Sequence, residues 1–197
     1  MVTERMKKVT PPLAALGALI IALVAVETGA QHVFTVGGTS QIQAAGEDSF
    51  VVEVTGSLGA DWQPTDNDWV HANPEAFDID ADAQSGFGPG ASRDFVLAAR
   101  NASPELTGDI DMTVLNPEPE NSALYDQLLY TVEHEGTVLL DAVPGADIAA
   151  FGPLSLGEYA PGEYTTVALT VTMPSDAGNE LQQLSSRVQV AMNGVSR

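Results

Sequence analysis

From Thr165 to Met173 the chain reads TTVALTVTM, with Val167, Leu169, Val171 and Met173 apolar and Thr166, Ala168, Thr170 and Thr172 between them. Alternation with a period of two marks a strand that shows one face to a core and the other to water. The same pattern returns at Phe50-Val52-Val54, at Ile110-Met112-Val114 and at Val188-Val190-Met192. It returns again at Phe77-Ile79-Ala81, where Asp78, Asp80 and Asp82 fall on the opposite face. Helical spacing is almost absent, so the fold class expected is all-β.

Turn chemistry separates the runs. In YTVEHEGTVLLD, Glu135-Gly136 supplies a hairpin turn between two β-rich arms. Asn116-Pro117-Glu118-Pro119, Val143-Pro144-Gly145 and Met173-Pro174-Ser175 are further breaks. The stretch from Gly56 to Pro74 is polar and irregular and reads as a long loop holding Trp62 and Trp69. Short helices fit at Asn121 to Leu129 and at Asn179 to Leu184. GFGPGASRDFVLAARN and EYAPGEYTTVALTVTM align at an offset of 72, matching Pro89-Gly90 to Pro161-Gly162 and Phe95, Leu97, Ala99 to Val167, Leu169, Val171. Two such units suit the opposed sheets of a sandwich, with eight or nine strands in all.

The N-terminal part has a different character. Leu13 to Val26 is an apolar run of 14 residues, short of the roughly 20 that a spanning helix needs. Lys7-Lys8 before it and Thr28-Gly29-Ala30 after it complete the layout of a cleavable secretory signal peptide, residues 1–30. The mature chain would then begin at Gln31 with no stable membrane anchor. It comprises an N-terminal strand over residues 31–40 and one domain over residues 41–197. Removing 30 of the 197 residues leaves 167, enough for a single core.

Charge narrows the partners. The whole chain has 27 acidic and seven basic residues; without residues 1–30 there remain 25 acidic ones against Arg93, Arg100, Arg187 and Arg197, a balance of −21. Such a surface repels nucleic acid and anionic lipid. Cysteine is absent, so an exported chain must hold together by packing and backbone pairing. No lysine follows residue 30, which excludes lysine isopeptide links, so any assembly is non-covalent.

Motifs for chemistry are few. His134-Glu135 opens like a zincin motif, but Val138 stands where the second histidine belongs. There is no G-x-S-x-G. No catalytic residue is assigned. Asp78, Asp80 and Asp82 imitate the first ligands of a calcium loop, making calcium the one candidate cofactor; Ala83 and Pro89 break the EF-hand pattern. A solvated strand edge explains the three aspartates more simply. Trp62 and Trp69 read as anchors for their loop, with a sugar-stacking platform as the alternative. Asn101-Ala102-Ser103 matches a glycosylation sequon, a triplet frequent by chance.

The short leader, the cysteine-free β domain, GPGASRDFVLAARN and LSLGEYAPGEYTTVALTVTMPSDAGNELQQLSSRVQVAMNG together resemble the TasA and camelysin family of exported biofilm-matrix proteins. The resemblance implies a jelly-roll-like antiparallel β-sandwich, secreted to the cell surface or extracellular matrix after cleavage by a SipW-type signal peptidase. It also implies non-covalent fibres in which an N-terminal strand is given to the next subunit. On this chain the donor is Gln31 to Ser40, with Val33, Phe34 and Val36 as its apolar self-assembly residues. This chain is more acidic than the family pattern. Two further readings stand beside it: a camelysin-like surface metallo-endopeptidase using His134 or His71, and a monomeric calcium- or glycan-binding module.

Overall fold

A computed structural model describes residues 31–38, 50–71, 77–79, 87–181 and 184–197, with backbone alone at 31–38, 77–79, 179 and 185. In chain order the strands are β1 (Gln31–Gly38), β2 (Val52–Leu58), β3 (Val70–His71), β4 (Phe77–Ile79), β5 (Ser92–Asn101) and β6 (Gly108–Leu115). They continue with β7 (Leu129–His134), β8 (Thr137–Pro144), β9 (Leu154–Tyr159), β10 (Tyr164–Thr172) and β11 (Ser185–Ser196). The signal-peptide reading of residues 1–30 falls outside the described residues. No helix among the described residues is long and apolar enough to cross a membrane.

Two sheets form. One has the order β4-β1-β11-β6-β9 and the other β3-β2-β5-β10-β7-β8. Both contribute inward rows to one core: Ile110, Met112, Val188, Val190 and Met192 from the first, Leu97, Tyr130, Val132, Val167 and Leu169 from the second, all fully buried. The alternation seen in the sequence is what the core uses. Phe50 packs across the sheet interface, where Gly108 and Gly194 leave its ring room; a Cβ at either glycine would collide with it.

Glu135-Gly136 makes the hairpin expected between β7 and β8. Both residues have positive φ, 50° and 74°, and His134 pairs with Thr137 across a two-residue loop. Such turns match the right-handed twist of the flanking strands.

Three features differ from the sequence reading. There are eleven strands among the described residues rather than eight or nine: β3 arises inside the segment read as loop, and β9 carries a bulge at Leu156, next to Gly157 (φ 110°), opposite the step from Ile110 to Asp111 on β6. The connectors hold only 3-10 turns, at Pro119–Asn121, Tyr125–Gln127 and Asn179–Leu181, plus an unforeseen one at Gly145–Phe151. The third concerns the two Pro-Gly units. β5 and β10 do not lie in opposed sheets; they are antiparallel neighbours in one. Gly90 N–H donates to the Met173 carbonyl at 2.9 Å and Gly162 N–H to the Asn101 carbonyl at 2.8 Å, so each turn closes the far end of the other unit's strand.

β5 is also buried on both faces, with Val96 and Ala98 covered as well as Phe95, Leu97 and Ala99. The segment from Gly59 to Trp69 leaves β2 here, and Gly59 N–H donates to the Asp94 carbonyl at 2.9 Å, next to the Leu58–Phe95 pair. The Trp69 ring carries the Arg100 guanidinium 4.6 Å above its centre and meets Tyr164 edge-on at 5.8 Å. With one face covered by Arg100, Trp69 serves as a loop anchor.

One core group is anomalous. Tyr130 is fully buried beside Tyr125, their ring centres 5.3 Å apart, and its hydroxyl has no hydrogen-bond partner among the described residues. Burial also pushes the Tyr125 hydroxyl up to about 12, with the Asp126 charge adding to it. An unsatisfied buried hydroxyl costs about 1 to 3 kcal/mol. Tyr130→Phe is therefore expected to raise stability by about 1 kcal/mol, a gain of roughly 2 to 4 °C in melting temperature for a domain of this size. Thermal melts of the two proteins check the sign.

Candidate functional site: the N-terminal strand

β1 and β11 form the one parallel pair among the described residues. Gln31 to Gly38 run alongside Ser185 to Met192, each residue pairing with one 154 positions further on. On the other side Phe34, Thr35 and Val36 pair antiparallel with Ile79, Asp78 and Phe77 of β4. β1 thus has a strand on each side, yet no hairpin connects it to either. Its place depends entirely on long-range pairing.

The register places the candidate self-association residues. Phe34 stands level with Val188 and Val36 with Val190, both fully buried. Val33 stands level with Arg187, which is exposed. By strand alternation Phe34 and Val36 hold positions of one parity along β1 and Val33 the other. In the single chain this segment belongs to its own sheet.

The calcium candidates fall only partly within the described residues. Asp78 lies in β4 opposite Thr35, while Asp80 and Asp82 lie outside the described residues. Among the described residues no three acidic or histidine side chains gather as a metal would require. His71 sits 3.6 Å from Glu53, which also pairs with Arg100. His134 is buried with Nε2 at 2.7 Å from Thr165 Oγ1 and 3.3 Å from the Tyr159 hydroxyl, which itself donates to the Leu156 carbonyl at 2.6 Å. The two histidines are thus engaged in separate local contacts.

The few cations are spoken for. Arg100 binds Glu53, Arg187 lies 3.4 Å from Glu118, and Arg197 reaches Asp109 at 2.6 Å and Glu158 at 2.9 Å. Arg93 lies over the Phe87 ring at 5.4 Å. Acidic crowding shows on the five-stranded sheet, where burial and then the Asp109 charge raise the Asp111 carboxyl above its ordinary value, against a hydrogen bond from Ser155. A raised carboxyl binds its proton more tightly folded than unfolded. Stability should therefore fall as pH rises from about 4 through the raised value. Asp111→Asn should remove that fall and leave the protein more stable at neutral pH, as denaturant melts at pH 4 and pH 7 would show.

Asn101 is the residue that sequence reasoning passed over. It is fully buried, with Nδ2 donating to the Leu106 and Tyr159 carbonyls at 2.7 and 2.9 Å and Oδ1 accepting from Ser103 N–H at 2.9 Å. A sugar cannot be attached to this amide in the folded chain. The sequon triplet instead encodes a knot, because Ser103 Oγ accepts from Val51 N–H at 2.8 Å.

In comparisons with known proteins, no family model and no curated protein matches this chain.

Proposed function

We propose that this chain is a secreted, non-enzymatic structural subunit of a bacterial surface or biofilm matrix, which self-associates by passing its N-terminal strand to a neighbouring copy. The supporting observation is the placement of β1. It is held between β4 and β11 by a parallel and an antiparallel ladder, and no hairpin ties it to either strand. The same ladders form whether β1 comes from its own chain or from another, so exchange conserves the contacts. The resemblance to the TasA and camelysin family supports export through a cleaved signal peptide over residues 1–30 and a jelly-roll-like connection of the strands.

Assembly should respond to salt. With −21 on each mature subunit, association is opposed at low ionic strength, and the screening length shortens from about 30 Å at 0.01 M to about 10 Å at 0.1 M. Turbidity and electron microscopy of residues 31–197 should show fibres that increase with sodium chloride. Residues 41–197 should form none under the same conditions. Fibres that form equally well without residues 31–40 would rule out strand donation.

A further inference from the structure

The offset of 72 between the two Pro-Gly units is a symmetry of the fold. Val96 of β5 pairs with Ala168 of β10, and these two are themselves 72 apart. A residue paired with its own counterpart marks a local two-fold axis. The turn bonds obey it: Met173 N–H donates to the Ala91 carbonyl at 2.9 Å and Asn101 N–H to the Glu163 carbonyl at 3.0 Å, again related by 72 at both donor and acceptor.

The two-fold extends to the connectivity. β2 to β6 fall successively in the six-, six-, five-, six- and five-stranded sheet, and β7 to β11 repeat that series. In the six-stranded sheet the order β3-β2-β5-β10-β7-β8 is a palindrome under exchange of β2 with β7, β3 with β8 and β5 with β10. The five-stranded sheet would be one as well, as β4-β11-β6-β9, were β1 not standing between β4 and β11. β1 has no counterpart in the other half. It occupies a seam that the second half closes directly, by pairing β9 with β6.

We propose that sheet closure is a second state of this molecule: β1 leaves and β4 moves one strand spacing to pair directly with β11, as β9 pairs with β6. Directions already agree. β4 is antiparallel to β1 and β1 is parallel to β11, so β4 and β11 run antiparallel, as β9 and β6 do. β1, β4 and β11 all lie against β2, so the shift, about 5 Å, keeps β4 over the same partner. Closure supplies backbone partners to two strands that the departure of β1 would leave open, and so lowers the cost of releasing it. It holds whether or not a second copy takes up the released strand, and it is therefore separable from the function proposed above.

The absence of cysteine permits a clean test in the full chain. Asp78, Thr35 and Gln189 stand in one row across β4, β1 and β11. With β1 in place, positions 78 and 189 are two strand spacings apart, about 10 Å, beyond the roughly 7 Å that a disulfide spans; closure halves the distance. Three cysteine pairs are compared in a redox buffer: Thr35→Cys with Gln189→Cys, Asp78→Cys with Gln189→Cys, and as a control Asp78→Cys with Val195→Cys, six residues further along β11. The 35–189 link should form readily. The 78–189 link should accumulate slowly above the control, and roughly tenfold or more faster when Val36→Pro disfavours β1 pairing. A 78–189 link no faster than the control, with Val36→Pro and without it, overturns closure. If Val36→Pro abolishes the cooperative melt, the unmodified β1 decides alone: accumulation above the control supports closure and its absence overturns it.

Discussion

Asn101→Ala is expected to lower stability by about 3 to 5 kcal/mol, the largest effect of any single side chain outside the apolar core. The amide meets the main chain at three points, Ser103 and Leu106 in the β5–β6 connector and Tyr159 on β9, at a site with no access to water. Alanine leaves each of these backbone groups short of a partner, and a stranded buried group costs about 1 to 3 kcal/mol. Asn101→Asp separates hydrogen bonding from size. It keeps the shape but aims a carboxylate oxygen at the two carbonyls that Nδ2 now serves. At neutral pH it should be at least as damaging as alanine, and urea melts of the three proteins would show the order. A loss under about 1 kcal/mol for either variant would mean that the knot is not holding these segments.

Val36→Pro should remove assembly. β1 has a strand on both sides at this position, Val190 on β11 and Phe77 on β4. Whichever way its N–H points, a ladder bond is lost, and the proline ring clashes with the neighbouring backbone. The ladder group left without a partner alone costs about 1 to 3 kcal/mol, roughly a 5- to 150-fold loss in any equilibrium that pairs this strand, within a chain or between chains. In the salt series the variant should stay clear, without fibres by electron microscopy. Val36→Ile, which keeps the backbone N–H and a β-branched apolar side chain, is the matched control and should still assemble.

How much of this was legible in the sequence depends on the distance over which the information acts. Alternation located the core rows of β6, β10 and β11, because Ile110, Val167 and Val188 report their own burial locally. The Glu135-Gly136 turn was legible for the same reason, since two residues set its backbone. β9 was obscured by the bulge at Leu156, which breaks the period, and β3 by its two-residue length. Pairing across the sandwich was not legible at all. The repeat of Pro89-Gly90 at Pro161-Gly162 was visible, but alternation has no term for which strand lies beside which, and it could not say that the two units share a sheet. Asn101 reads as a polar residue at a strand end; only the arrival of Leu106 and Tyr159 turns it into a structural centre. For the candidate site, the sequence drew attention to Val33, Phe34 and Val36, while the parallel partner 154 residues away came from the fold.

The central claim is that β1 can pair with β11 of another copy, and mixing two singly substituted chains tests it most directly. Chains carrying only Thr35→Cys are mixed with chains carrying only Gln189→Cys, brought to the salt concentration that yields fibres, and oxidised. Strand donation predicts a covalent heterodimer joined at positions 35 and 189, accumulating with fibre mass and depleted by Val36→Pro in the Thr35→Cys partner. Fibres that grow without that intermolecular link would contradict it.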